Sequence, residues 1–205
     1  MIRFLKLAVA GIASLTVVGL IVAATQPAQT PVTRVSPTKQ YPHDPRAFTQ
    51  GFAWRDGILY EGTGREGTSV VRTVDLETGE TGVYYKLPGQ LFGEGVCVLG
   101  EEIYQLTWKS GWAFVYDRKT LNYKRRFRVA GEGWGLTTDG KRLILSDGSS
   151  ILRFLDPSSG QVLGRVRVRD QERAVDNLNE LEWVRGPDGK AEVLANVWYS
   201  PMIAR

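Results

Sequence analysis

Cysteine and histidine are almost missing from this sequence, which has one of each, Cys97 and His43. A lone cysteine excludes an intrachain disulfide, so stability has to come from packing. A lone imidazole excludes a His-rich zinc site and any Ser-His-Asp triad built on a second histidine. His43 itself lies in YPHDP, a proline-bounded turn in which Pro and Asp serve the backbone, and it reads as a turn or surface residue rather than a chemical one. Helical periodicity is also missing beyond the N-terminus. The net charge is +4, yet no groove-sized cluster of cations with stacking aromatics is present, which argues against nucleic acid. The basic residues alternate instead. In YKRRFRV, Lys124, Arg126 and Arg128 alternate with Arg125, Phe127 and Val129, and in GRVRVRD, Arg165, Arg167 and Arg169 alternate with Val166 and Val168. Such spacing gives a strand one wet, charged face, the usual protection of an exposed edge.

What is present points to an all-β chain. With 205 residues there is room for one sizeable core or two small ones. The 23 glycines and 10% aromatics accompany short Val, Ile, Leu, Tyr and Phe runs broken by Asp-Gly and Thr-Gly pairs. The N-terminus is a separate object. Arg3 and Lys6 precede the apolar run from Leu7 to Ala24, which reads as an export signal, with Val22 and Ala24 small enough for the cleavage site. The run also approaches the ~18–20 residues that span a bilayer, so a retained anchor stays open beside the preferred cleaved signal. Either way the domain is expected outside the cytoplasm, periplasmic, extracellular or anchored facing outward. Residues 25–40, rich in proline and polar side chains, read as a flexible linker.

The remainder repeats. TQGFAWRDGILYEGTG, GEGVCVLGEEIYQLTW and GWGLTTDGKRLILSDG align so that Phe52, Val96 and Leu136 each precede the start of a second strand, Leu59, Ile103 and Leu143, by seven positions. A fourth copy, NELEWVRGPDGKAEVLANVW, has an insertion in its turn. The matching positions are read as Gln50, Glu94, Trp134 and Glu180, spaced 44, 40 and 46 apart. Third strands end at Asp75, Asp117 and Asp156, and fourth strands follow in VYYKL, KRRFRV and VLGRVRV. Four antiparallel strands per unit of ~40–45 residues mark β-propeller blades rather than a sandwich. The expected architecture is an all-β propeller over 41–205, with three complete blades and part of a fourth, after the N-terminal signal or anchor helix at 1–24.

In a propeller the first strand of each blade lines the central channel, where glycine permits close approach and any other side chain faces its counterparts. Glu94 and Glu180 there are either site residues or the lining of a wet tunnel. What favours a site is the company expected at the channel mouth: Trp108 and Trp198 at the ends of second strands, Trp134 from a first strand, and Phe48 and Phe92 two residues before Gln50 and Glu94. Aromatic walls with the amides Gln50 and Asn179 suit an apolar pocket holding a few placed polar groups.

YPHDPRAFTQG, LYEGTG, FGEG, LTW, GEGWGLTTDG, SDGS, LNELEWV and ANVW, in this order over 41–198, resemble the plant and bacterial type of glutaminyl-peptide cyclotransferase, a five-bladed propeller. The resemblance implies an aminoacyltransferase that converts the N-terminal Gln of peptides and proteins to pyroglutamate and releases ammonia. It implies that Glu94 shuttles protons, that Gln50 and Asn179 hold the substrate, and that Phe48, Phe92, Trp108, Trp134 and Trp198 wall it. Glu180 ranks behind these residues. No cofactor is implied, although a structural calcium in the central channel is compatible with such a propeller; no Asp-rich ligand loop is visible. The implied partners are peptides with N-terminal Gln, with no nucleic acid, membrane contact only through the N-terminal run, and a monomeric state. A metal-dependent propeller lactonase and a non-catalytic binding propeller are the competing readings.

The sequence departs from the resemblance in two places. Arg65-Glu66 stands where that family more often has an apolar-aromatic pair, and roughly sixty residues, one and a half blades at ~40 each, have no counterpart, including a pocket lysine. A chain of this length is therefore expected to be unstable or poorly active. Thermal unfolding and a Gln-peptide assay check this, and a cooperative monomeric melt with ordinary turnover would overturn it.

Overall fold

The computed structural model describes residues 30–186 and 188–205. The expected signal or anchor at 1–24, and residues 25–29 of the expected linker, lie outside the described residues. Residues 30–40 form no strand and are exposed. No helix occurs among the described residues, and the strands group into four blades.

Blade 1 is the antiparallel series β1 (Thr49–Arg55), β2 (Ile58–Thr63), β3 (Val70–Val74) and β4 (Thr81–Lys86). Blade 2 is β5 (Gly93–Leu99), β6 (Glu102–Thr107), β7 (Trp112–Asp117) and β8 (Tyr123–Arg128). Blade 3 is β9 (Leu136–Thr138), β10 (Leu143–Leu145), β11 (Ile151–Leu155) and β12 (Val162–Arg167). A small hairpin, β13 (Arg169–Asp170) with β14 (Arg173–Ala174), leads to a three-stranded fourth blade of β15 (Leu178–Arg185), β16 (Ala191–Val197) and β17 (Ile203–Ala204).

The turns follow from local chemistry. β1 and β2 are joined through Asp56-Gly57, both at positive φ, the pair that a two-residue hairpin favours. Between the third and fourth strands Asp75, Asp117 and Asp156 each accept backbone N–H groups two and three residues on, so one aspartate closes the same turn in three blades.

Apolar clusters lie between consecutive blades rather than inside them. Tyr60, Val71 and Leu87 pack on Val96, Ile103, Phe114 and Tyr116; Tyr104, Leu106 and Val115 pack on Leu136, Leu143 and Leu155; Ile144 and Leu152 pack on Leu178, Leu181 and Ala195. At ~1.5–3 kcal/mol for each large apolar side chain fully buried, these seams dominate the favourable side of folding. The outermost strand of blade 2 is wet as the alternation predicts, whereas on β12 Val166 is exposed along with Arg165 and Arg167, so the expected two-faced pattern fails there. Lys124, Arg126 and Arg128 on β8 are exposed while Phe127 is buried, and Arg126 and Arg128 lie over the Trp112 ring.

His43 ties the opening turn to blade 1. Its Nε2 lies 3.0 Å from Oε1 of the fully buried Glu61, which also accepts from Thr49 Oγ1 at 2.5 Å and, through Oε2, from Arg72 Nε at 2.7 Å. This is a structural use of the single histidine.

Two features of the first strands position the site. The ladder between first and second strands shifts at Thr49/Gly51, at Gly93/Val96 and at Leu178/Leu181, so three blades carry an irregularity at the same place. Glycines then let these strands meet. A Cβ on Gly95 would sit 2.6 Å from both the Leu136 nitrogen and the Trp134 oxygen, and one on Gly135 would be driven into the Asn179 carbonyl oxygen. In contrast, a Cβ on Gly164 of β12 meets only Phe154 Cδ2 at 3.8 Å. Gly135→Ala is therefore expected to destabilise by at least ~3 kcal/mol, the upper part of the overpacking range, while Gly164→Ala stays within ~0.5 kcal/mol of the parent. Chemical denaturation of both variants checks the difference.

Candidate active site

After each irregularity the first strand resumes its ladder at Phe52, Val96 and Leu181, paired with Glu61, Gln105 and Ala195; in blade 3, Leu136 pairs with Leu145. Counting back two residues gives Gln50, Glu94, Trp134 and Asn179. This corrects the expected register in one copy. Asn179, not Glu180, shares the position of Gln50 and Glu94, and Glu180 falls where the other blades have Gly51, Gly95 and Gly135. The reason is steric. A Cβ on Gly51 would lie 2.8 Å from Glu180 Oε1, and one on Gly95 would lie 2.8 Å from Oε2, so these two glycines make the space that the Glu180 carboxylate fills, while Gly135 gives room to the Asn179–Glu180 backbone.

The wall residues come together through equivalent backbone contacts. Gly64, Trp108 and Trp198 follow the second strands, and their N–H groups donate to the carbonyls of Phe48, Phe92 and Asn177 at 2.8, 3.0 and 2.8 Å. Ring centroids then run from Phe48 to Phe92 at 6.1 Å and from Phe92 to Trp108 at 5.6 Å. On the other side Trp134 meets Trp198 edge-on at 5.2 Å. Phe48 and Trp198 are rim residues, 45% and 44% exposed. All five expected wall aromatics thus take part in two linked series.

What joins the two series is a residue the sequence reading passed over. Glu132 Oε2 accepts from Trp108 Nε1 at 2.8 Å and from Trp134 Nε1 at 2.9 Å. Its backbone is gripped from β11, where the buried Arg153 donates to the Glu132 carbonyl at 2.9 Å and to the Ala130 carbonyl, and pairs with Asp147 at 3.2 Å. Glu132 stands two residues before Trp134, at the repeat position that holds Phe48, Phe92 and Asn177 in the other blades, and a carboxylate at a position otherwise used for a wall aromatic was a signal within the sequence.

Glu94 is 7% exposed. Burial, reinforced by the neighbouring Glu132 charge, pushes its carboxyl from an ordinary 4.5 up to about 8. Gln50 and Asn179 hold the equivalent first-strand position in blades 1 and 4, with side-chain amides that no protein group hydrogen-bonds among the described residues; Asn179 uses its backbone carbonyl to accept from Ser146 Oγ at 2.7 Å. Both amides are therefore open to a ligand. Glu180 differs. Neither of its oxygens touches solvent, and the backbone N–H groups of Phe52 and Leu136 are aimed at them without closing a well-formed hydrogen bond. Burial first, then the Glu182 and Glu94 charges, hold its carboxyl well above the ordinary range.

A separate cleft of about 260 Å³, lined by Arg46, Arg65, Thr68 and Arg72 among others, shares Phe48 with the aromatic walls but not Glu94. Cys97 is buried in the seam between blades 2 and 3, and burial pushes its thiol well up, which leaves it inert. Among the described residues no group of three or more His, Cys, Asp or Glu side chains is gathered to hold a metal ion.

Together the fold and the cleft define an all-β, propeller-like protein of four described blades, with a buried carboxylate and open amides between aromatic walls. Residues 11–205 match the family described as Glutamine cyclotransferase. Over 176 residues the chain is 42% identical to a glutaminyl-peptide cyclotransferase of Arabidopsis thaliana, covering 85% of this chain and 53% of the relative. The chain thus spans about half the length of that relative. The crystal structure of Myxococcus xanthus glutaminyl cyclase matches with a TM-score of 0.72 at 34% identity, covering 80% of this chain and 67% of that one. This chain belongs to the glutamine cyclotransferase family.

A carboxyl protonated in the fold stabilises fully below its unfolded value and loses that contribution as pH rises through its folded value. Glu94 and Glu180 are both raised, so wild-type stability is expected to fall from about pH 4.5 upward, through about pH 8 for Glu94. Glu180→Gln removes one of the two groups. Its melting temperature relative to wild type should rise as the pH increases above about 4.5, by ~2–4 °C for each kcal/mol relieved. An offset that does not change with pH would contradict a buried, protonated Glu180.

Proposed function

We propose that the chain performs the reaction for which its relatives are named, cyclising the N-terminal glutamine of peptides and proteins to pyroglutamate. The observation that carries this reading is Glu94, a carboxyl held near neutrality at the irregularity of a first strand, at the repeat position that Gln50 and Asn179 occupy in blades 1 and 4.

The chemistry asks little of the protein. The substrate's α-amine nitrogen forms a bond to its own γ-amide carbon, and the C–N bond of that amide then breaks to release ammonia. Because attack is intramolecular, no protein nucleophile is needed; holding the side chain folded onto the amine supplies most of the advantage. The amine must lose a proton and the departing nitrogen must gain one. A single carboxyl with a value near the working pH does both in turn, which is the role we assign to Glu94. Gln50 and Asn179 hold the substrate's amide and amine, while Phe48, Phe92, Trp108, Trp134 and Trp198 exclude water from the folded glutaminyl side chain.

The five-bladed type of ring, an N-terminal signal or anchor helix, placement outside the cytoplasm, a monomeric state and calcium limited to a structural role belong to the same proposal.

Glu94→Gln keeps the shape of the side chain and removes its proton transfer. Ammonia release from a Gln-Xaa peptide is expected to fall by ~10²–10⁴-fold with peptide affinity preserved. Full release by this variant in a coupled ammonia assay would sink the assignment, and loss of wild-type activity on chelation with the melting temperature unchanged would favour a metal-dependent hydrolase instead.

A further inference from the structure

The reading of Glu94 leaves one half-buried carboxylate unused. Between the two aromatic series stands a carboxylate that neither wall strictly requires. Tryptophan is satisfied by any acceptor, and a backbone carbonyl or a water molecule would serve each indole. Here one oxygen of one side chain serves both. Glu132 Oε2 accepts from Trp108 at the end of β6 and from Trp134 just before β9, and so links blades 2 and 3 across the cleft. Its other oxygen accepts no hydrogen bond and still reaches solvent, since it does not figure among the buried unpartnered atoms.

We propose that Glu132 is a positioning residue of the site, clamping the indoles of Trp108 and Trp134 as facing walls while presenting a fixed negative charge to Glu94. The proposal rests on the cyclotransferase reading for its kinetic consequences but not for its geometry.

Three observations converge on it. The clamp is held from behind, because Arg153, only 6% exposed, donates to the carbonyls of Ala130 and Glu132 and is itself tied to Asp147. A loop that merely capped a wall would not need a buried guanidinium on its backbone. The clamp also closes a circuit. Phe48 leads through Phe92 to Trp108, then through Glu132 to Trp134 and Trp198, so a single carboxylate makes one wall of two.

Finally, the charges facing Glu94 are one-sided. Glu132 faces it from the loop before β9, and Glu180 faces it from β15. From β2 and β3, Glu61 and Arg72 are bonded to each other at 2.7 Å. The cations of the same walls are spent on rings: Arg65 lies over Phe48 at 5.2 Å and Lys109 over Trp108 at 3.9 Å. Among the described residues no ion pair neutralises either Glu94 or Glu132, so the negative charge of Glu132 acts on Glu94 with little opposition. Two carboxylates sharing a poorly solvated volume resist double ionisation, and the more buried one keeps its proton.

Two substitutions separate the clamp from the charge. In Glu132→Gln the amide oxygen accepts both indole hydrogens and the charge is lost; in Glu132→Ala both are lost. The midpoint of Glu94 is followed by carbon NMR of glutamate-labelled protein, which needs no turnover. It is expected to move down on the order of one pH unit in both variants, the scale on which a close like charge acts. Near-ultraviolet circular dichroism of the indoles should be kept in Glu132→Gln and altered in Glu132→Ala. With a Gln-peptide, the pH–rate limb should follow the midpoint in both variants, while KM rises several-fold only in Glu132→Ala.

An unmoved Glu94 midpoint in both variants overturns the proposal, as does an unchanged indole spectrum in Glu132→Ala. Equal losses of melting temperature in the two variants with no change of midpoint would reduce Glu132 to a structural residue and overturn it too. If wild-type protein cyclises no peptide, the functional reading fails while the midpoint and the spectrum still decide the role of Glu132.

Discussion

The closeness with which the innermost strands approach one another sets everything else in this fold. Side chains at Gly51, Gly95 and Gly135 would collide with the next strand's backbone or with Glu180, so the seam between blades exists only because three of the four copies carry no Cβ at that position. In the fourth copy the position holds the longest acid available, and its carboxylate occupies the room the glycines leave. A repeat usually repeats its side chains. Here the copies are complementary, three empty positions around one filled one, which no single copy reveals.

That close contact also dictates the electrostatics. Strands this near to each other exclude water, so a carboxylate on their inner side is penalised before any neighbour is counted, and burial heads the causes for both Glu94 and Glu180. The irregularity in the ladder adds direction. Where an extra residue is accommodated, the strand turns a side chain out of the regular alternation, a device that recurs beside functional sites. Gln50, Glu94 and Asn179 all sit at such a point. An enzyme that needs no nucleophile of its own can be built from these elements: a dry wall, a carboxyl with a displaced proton equilibrium, and amides without internal partners.

The sequence revealed the parts of this arrangement that recur and concealed those that occur once. The Asp75, Asp117 and Asp156 turns, the first-to-second strand register through Phe52, Val96 and Leu136, and the equivalence of Trp108 with Trp198 were legible because each is a local rule applied again in another blade. Glu180 was misplaced by one residue because the number of residues in an irregular ladder cannot be read from composition; Glu and Asn both look plausible on a channel. The apolar anchor Leu181, aligned with Val96 and Leu136, held the correct answer. Glu132 escaped for the opposite reason. It is the one carboxylate at a position that holds Phe48, Phe92 and Asn177 in the other blades, and its meaning arises only when Trp108, distant in sequence, arrives at its other side.

Two raised carboxyls in one small region would seem to compete for one role, yet the surroundings separate them. Glu180 has oxygens sealed from solvent, glycine on its flanks and backbone N–H groups aimed at it, so a proton exchanged there has no route to a bound molecule. Glu94 keeps a 7% opening and lies among the residues of the cleft. A raised pKa is therefore not by itself chemical capacity, because proton transfer needs contact as well as affinity. The sealed acid still matters to the open one, since its charge would be felt by Glu94 if it ionised. Keeping Glu180 protonated removes that repulsion, so the axial acid sustains the working range of its neighbour by remaining neutral.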